Sequence, residues 1–516
     1  MKDEIFFRDK LEDEWEANEV YAILSECDKD FEPPLSERGS TVQKKSGDGV
    51  RNYFNEVAKQ HTLFLKREKK IIAFLSFRSM EECEALKNYR DICYFTTLCI
   101  RKEYRGQGLA LVLYQKAKEY VEESSRYTVM ALRTWSTNKA QLHLMEKMDF
   151  HCETRLKNDR GEGIDTLYFV KEITGKGIRA YGYTIGNGKC GIRNTITDVP
   201  GVKVGHYTVR KGKNQTGVTV IIPCDGFVYE RKPLAAVYAL NGFGKTQGTV
   251  QIEELGVLET PIALTNTLNV GKAADGLVTF TEKECRKNGK ELVSVNPVVG
   301  ETNDSRINQI TERVIEAEDV LFAIEHAEKN FKQGAVGAGR GTVCFGLKGG
   351  IGSASRILTF GGKEYTIGVL VQSNFGKTQD LTVAGVPVGR QICTKIQNSA
   401  KEDKGSIMVI VGTDLPLGER QLKRVLKRAA VGLIRTGSFM GHGSGDVFIG
   451  FTNANGIPDT KEEQFHMMKY FPENQLDKVF RLVAEAVEES ILNSLTCAKA
   501  MPGRDGEIYH SLSEFL

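Results

Sequence analysis

The 516-residue chain has only eight histidines and two tryptophans. It also lacks any apolar run near the roughly 18 residues that a bilayer span requires. No sign of charge dominates, since 70 Lys and Arg stand against 67 Asp and Glu for a net +3. That balance argues against nucleic acid or an anionic membrane surface as partner. The eleven cysteines are an odd set without paired spacing, a pattern of reduced thiols rather than a disulfide framework. The opening MKDEIFFRDKLEDEWE is acidic and has neither the basic nor the apolar region of a signal peptide. A cytoplasmic protein is the expectation.

Several hydrolase and nucleotide signatures are missing too. No serine sits in G-x-S-x-G, so a nucleophile elbow is not expected. With no His-Glu-x-x-His and no cysteine pairs, no metal is expected. Gly-Lys-Thr occurs at 244–246 and at 376–378, but Ala239 and Val371 stand where a phosphate-binding loop needs its first glycine. Scarce histidine also disfavours a Ser-His-Asp triad.

Glycine divides the chain into two textures. Residues 1–172 hold 7 of the 52 glycines, and the remaining 344 hold 45. A length of this order implies two or more domains, with Thr174-Gly175-Lys176-Gly177 reading as a short flexible linker (173–178). The second part alternates short apolar strands, such as 218–222 and 366–371, with two amphipathic helices at 418–436 and 475–497. A layered α/β or α+β architecture follows.

In the first part, a strand near 92–100, ending at Ile100, runs into Arg105-Gly106-Gln107-Gly108-Leu109-Ala110 and then an amphipathic helix. Glycines at 106 and 108 let backbone N–H groups approach an anion, and the helix N-terminus adds partial positive charge. Gly-x-Gly before a helix is also a common tight turn. In this setting, however, the segment resembles the R-G-x-G-x-A motif of the GCN5-related N-acetyltransferase (GNAT) superfamily. The later NKAQLHLMEKMDF resembles that family's N-x-x-A-x-x-L-Y-E-K-x-G-F at Asn138, Leu144, Glu146, Lys147 and Phe150. The resemblance implies a mixed sheet with helices over 1–172 that binds acetyl-CoA through residues 100, 105–110 and 138. Met145 stands where many members carry a proton-donating Tyr, and Asp149 where Gly is usual. Methionine is no acid, so cofactor binding is better supported than acetyl transfer, and no residue identifies the acceptor.

In the second part, polar residues close apolar strands at Asn266, Glu301, Asn374, Ser406 and Ser444 with Asp446. Each alone reads as a turn or cap residue or as a group that does chemistry. Together, with GIRNTITDVPGVKVGHYT, GAVGAGRGTVCFGLKGGIGSASR and GSIMVIVGTDLPLGERQLKRVLKRAAVGLIRTGS, they resemble the L-aminopeptidase/D-esterase and β-peptidyl aminopeptidase family over 179–516. That resemblance implies an αββα sandwich similar to N-terminal-nucleophile hydrolases but differently connected. It also implies an inactive precursor that cuts itself between Gly405 and Ser406. Released Ser406 would act through its own α-amine, whose pKa of about 7.7–8.0 leaves part of it neutral at pH 7. Ser444 and Asp446 would assist, Asn374 would donate to the oxyanion, and Glu301 would grip the free amine of a short peptide, amide or ester. Asn303 replaces a Tyr of the L-aminopeptidase type, and Asn266 is a further expected substrate contact. The charged run 399–404 would become an exposed tail, and the enzyme would be a homo-oligomer. Two alternatives are acyl transfer like that of ornithine acetyltransferases, and a non-catalytic sensor of acyl-CoA.

Overall fold

The computed structural model describes the chain except residues 1–2, 38–48, 81–82, 88, 90–91, 124–126, 128, 174, 397–404, 460–462 and 464. The charged run 399–404 therefore lies outside the described residues. Two compact units emerge, Met1–Ile173 and Thr174–Leu516. All eleven cysteines are free thiols. No helix among the described residues is long and apolar enough to cross a membrane.

The first unit is a seven-stranded sheet in the order Asp3–Arg8, His61–Arg67, Lys70–Met80, Ile92–Ile100, Val129–Trp135, Thr166–Glu172, His151–Leu156. Its ladders are antiparallel except where Ile92–Ile100 meets Val129–Trp135 in parallel. That parallel ladder stops at Phe95–Leu132 although both strands continue. The reason lies on the other edge: Ser76 pairs with Thr97 and Phe77 with Phe95, leaving Thr96 as an extra residue. A bulge bends and twists its strand, and beyond it the two strands part and share no ladder.

The second unit has four layers. Its five-stranded sheet runs Arg231–Gly242, Gly445–Pro458, Ser406–Thr413, Lys363–Asn374, Ile351–Phe360. Its four-stranded sheet runs Val298–Thr302, Ile262–Asn266, Asn214–Ile222, Lys203–Lys211. Side-chain alternation builds the layers. On Ser406–Thr413, Ile407, Val409 and Val411 pack with Leu422, Val425, Val487 and Ile491 of the helices Glu419–Arg435 and Leu476–Thr496. Met408 and Ile410 point the other way, into the core shared with Leu264, Ile262 and Val298 of the smaller sheet. Helices Val270–Lys287 and Ala317–Glu325 cover the outer face of that smaller sheet. The result is an αββα sandwich in which Ser406 has the parity of Met408, on the inter-sheet side.

The expected linker is different from its composition. Gly175 N–H donates to the Cys497 carbonyl at 2.8 Å, and Ile178, fully buried, donates to Asn493 Oδ1 at 2.8 Å. A Cβ on Gly175 would come within 2.1 Å of the Thr496 carbonyl oxygen. These glycines serve close approach to a helix end rather than flexibility.

The same opening segment is fixed by a buried ion pair. Arg356 and Glu489 are both inaccessible to solvent and 2.7 Å apart, and Arg179 joins Glu489 at 2.6 Å. Burial pushes the Glu489 carboxyl up, but Arg179 and Arg356 outweigh it and hold it below its usual value. Removing one partner of such a cluster leaves an uncompensated buried charge. Glu489→Ala is expected to cost about 3 kcal/mol in urea unfolding, with Glu485, at 3.2 Å from Arg356, limiting the loss. Glu489→Ala with Arg356→Met together should cost less than Glu489→Ala alone.

Candidate active site

Register brings the polar residues of the second unit to one sheet end. Ser406, the first residue of its strand, lies opposite Asn374, the last residue of the antiparallel neighbour. On its other side it pairs with Gly445, the first residue of the parallel neighbour, and Ile407 pairs with Asp446. Ser444 therefore sits one residue before the partner of Ser406. Its hydroxyl donates to Asp446 Oδ1 at 2.7 Å, with both residues about 1% exposed.

Asn374 is fixed at both ends of its amide. Oδ1 accepts from the Val343 N–H and Nδ2 donates to the Asn303 carbonyl, each at 2.9 Å. One hydrogen of Nδ2 is used in that bond, and the second remains for another acceptor. Asn303 closes an Asx turn through its own side-chain oxygen, which accepts from Ser305 N–H at 3.1 Å. Glu301, 3% exposed, accepts from the Lys245 backbone N–H at 2.8 Å and from the Thr267 hydroxyl. No lysine or arginine pairs with this carboxylate among the described residues. Its charge is thus held by two neutral donors and available to a cation.

Gly405, Ser406, Asn374, Glu301 and Asn303 line one cavity of about 310 Å³. That size suits a small ligand. Gly405 is required by space: a Cβ there would lie 1.9 Å from the Asn374 carbonyl oxygen and 2.5 Å from the Phe375 Cα. Ser444 and Asp446 are next to the wall, since Gly443 lines it. Asn266, expected as a substrate contact, stands apart from these residues. It is fully buried and does not line the cavity; its Nδ2 donates to Thr216 at 2.8 Å and its Oδ1 accepts from Leu268 N–H at 3.1 Å. It ends its strand as a cap for Leu268 N–H and ties that end to the neighbouring strand through Thr216. Sequence reasoning missed Thr267, Phe243, Lys245 and Arg306, all of which line the cavity. The one available signal was the Gly-Lys-Thr triplet at 244–246, set aside for lacking a phosphate-loop glycine.

In the first unit, Gly106 and Gly108 adopt φ of +77° and +76°, and a Cβ on either would meet nothing within 4 Å. The loop thus turns through left-handed glycines beside open space, directly before Leu109 and Ala110 open the helix Leu109–Glu123. Three side chains expected at a cofactor are engaged in shaping the protein. Arg105 binds the Ile100 carbonyl at 3.0 Å and Asp30 at 2.7 Å, and Asn138 caps the next helix by accepting from Gln141 N–H at 3.2 Å. Gln107 accepts from Arg67 at 3.0 Å. Met145 is fully buried in the core, and Asp149 takes φ of +60°, the geometry for which glycine is the easier residue.

Comparison with known proteins divides the chain the same way. The profile of peptidase family S58 matches residues 194–509, and that of the acetyltransferase (GNAT) family matches residues 18–150. A β-peptidyl aminopeptidase of Sphingosinicella microcystinivorans is 37% identical over 343 residues, 62% of this chain and 85% of that protein. A solved protein of Pyrococcus horikoshii OT3 is 46% identical with a TM-score of 0.62, covering 66% of this chain and 97% of its own. The L-aminopeptidase D-Ala-esterase/amidase of Ochrobactrum anthropi is 33% identical with a TM-score of 0.61, covering 65% and 95%; its structure is described as a variant of the Ntn hydrolase fold.

Behind Glu301 and Asn303 lies Asp304, about 1% exposed, accepting from Thr216 at 2.6 Å and Asn308 at 3.0 Å. Burial pushes its carboxyl up to about 6, against the opposing hydrogen bonds of Thr216, Asn308 and Asn266. A folded pKa above the unfolded value favours the protonated form. This contribution is full below pH 4 and lost as pH rises through 6. Ionising this carboxyl in the fold rather than in the unfolded chain costs about 3 kcal/mol. Between pH 5 and 7.5, urea unfolding of Asp304→Asn should therefore become more stable relative to wild type. Parallel pH profiles for the two proteins would contradict that account.

Proposed function

The chain belongs to peptidase family S58, and from that premise we propose that its second unit is a self-processing serine aminopeptidase for short substrates with a free amino terminus. The observation that carries this reading is the register of Asn374, Ser406 and Gly445 at a cavity that also holds Glu301. Self-cleavage begins when the Ser406 hydroxyl oxygen attacks the Gly405 carbonyl carbon. The C–N bond between the two residues breaks as the acyl group passes to oxygen and the proton to nitrogen. Water then hydrolyses the ester, leaving a Gly405 carboxylate and a Ser406 with both α-amine and hydroxyl.

The same groups serve turnover. The α-amine of Ser406 takes the proton of its own hydroxyl, with no histidine required. The second hydrogen of Asn374 Nδ2 is the donor for the oxyanion, an interaction worth about 3–4 kcal/mol of barrier in comparable sites. The Ser444–Asp446 pair orients the nucleophile. Glu301 receives the substrate ammonium, and a blocked amine would leave that buried carboxylate unpaired. Asn303, with a short arm, leaves room beside the oxyanion position.

The first unit carries a GNAT acetyltransferase domain, and acetyl-CoA is the cofactor we assign to it. The positive-φ Gly106–Gly108 loop, its open flank and the parted strands after Phe95 suit a pyrophosphate followed by an extended chain. Bound there, the cofactor supplies the acetyl group. The protein's own part is to hold it through loop amides, because buried Met145 cannot protonate a thiolate. Eleven free cysteines support a reducing, cytoplasmic setting, and a homo-oligomer is part of the same proposal.

Intact-mass measurement tests the peptidase reading. Wild-type protein should give two fragments, residues 1–405 and 406–516, with aminopeptidase activity. Ser406→Ala should remain one inactive chain. An uncleaved wild-type chain with full activity would overturn the mechanism.

A further inference from the structure

The pentapeptide Phe-Gly-Lys-Thr-Gln occurs twice, at 243–247 and at 375–379. Each copy follows the end of a strand in the five-stranded sheet, Arg231–Gly242 and Lys363–Asn374, on either side of the strand of Ser406. Phe375 and Gly376 of the second copy line the cavity, whereas the first copy contributes both Phe243 and Lys245.

Lys245 is oriented by two contacts. Its backbone N–H holds Glu301 at 2.8 Å, and its ammonium lies 4.6 Å from the centre of the half-exposed Phe243 ring. The ammonium forms no ion pair with a carboxylate among the described residues, including the adjacent Glu301. The cavity of about 310 Å³ is therefore lined by one carboxylate and by a lysine whose ammonium has no carboxylate partner among the described residues. A peptide gripped only by its amino end would leave that cation opposite a neutral amide. A short peptide with both ends free matches the pair charge for charge, its ammonium on Glu301 and its carboxylate towards Lys245.

We infer that Lys245 selects substrates whose leaving residue carries a free α-carboxylate, so that the natural substrates are dipeptide-sized acids. This rests on the aminopeptidase reading above. It makes Lys245 a residue of specificity for the leaving side of the scissile bond.

The test uses processed full-length protein and dipeptides beginning with L-, D- or β-alanine, each as the acid and as its C-terminal amide. Release of the first residue is followed by chromatography. For the best of the three series, kcat/KM should favour the acid by roughly fivefold or more, mainly through KM. Lys245→Gln should bring the acid-to-amide ratio close to one, and Lys245→Arg should restore it. Lys377→Gln, the same change in the other pentapeptide and off the lining, should keep the wild-type ratio. Acid and amide cleaved equally by wild type, or a ratio unchanged in Lys245→Gln, would overturn the inference while leaving the peptidase reading intact. Failure to cleave any of them would refute both.

Discussion

The strand Ser406–Thr413 is held by eight paired positions against Lys363–Asn374 and eight against Gly445–Pro458. A one-residue slip on either side would turn Met408 and Ile410 toward the helices and Ile407, Val409 and Val411 toward the smaller sheet. Both cores would then be lost together, so the register is specified by hydrophobic burial on two faces at once. The position of Ser406 follows from that register rather than from any contact of its own side chain. Asn374 and Gly445 inherit their places in the same way. The polar groups at the sheet end are thus located by apolar groups further along the strands.

A second consequence concerns Glu301. It belongs to the other sheet, one residue from the end of Val298–Thr302, and that sheet meets the first through Met408, Ile410, Leu264 and Val298. The inter-sheet core therefore sets the spacing between the group assigned to the substrate amine and the assigned nucleophile. Loss of volume there acts on the site without touching it. The neighbouring Asp304 network joins the turn after Glu301 to Thr216 of a third strand, so the clamp is braced from behind as well.

Much of this was legible in the chain. Runs such as Ile407–Val411 are β-branched and short, and Leu422, Val425, Leu426 and Ala429 keep helical spacing; both patterns survive because burial imposes them directly. Residues closing such strands, Ser406, Asn374 and Glu301, stand out as polar groups where apolar ones end. Asn266 has the same signature but bonds to Thr216 of the neighbouring strand and to Leu268 N–H instead of lining the cavity, a distinction that depends on which way the side chain turns. Thr267 and Lys245 reach Glu301 across 34 and 56 residues of sequence, and no local pattern encodes such a meeting. Glycine was ambiguous for a different reason. At 175 it permits contact with a helix end, at 106 and 108 it permits left-handed turns, and composition alone cannot separate these uses from flexibility.

Gly405 has no room for a side chain because the carbonyl oxygen of Asn374 stands where a Cβ would be. Under the proposed self-cleavage, the residue before the cut bond is thus fixed by packing against the end of the neighbouring strand rather than by the chemistry of the cut. Any side chain at 405 would push the paired positions Ser406 and Asn374 apart, and so act on the register before it acted on the reaction.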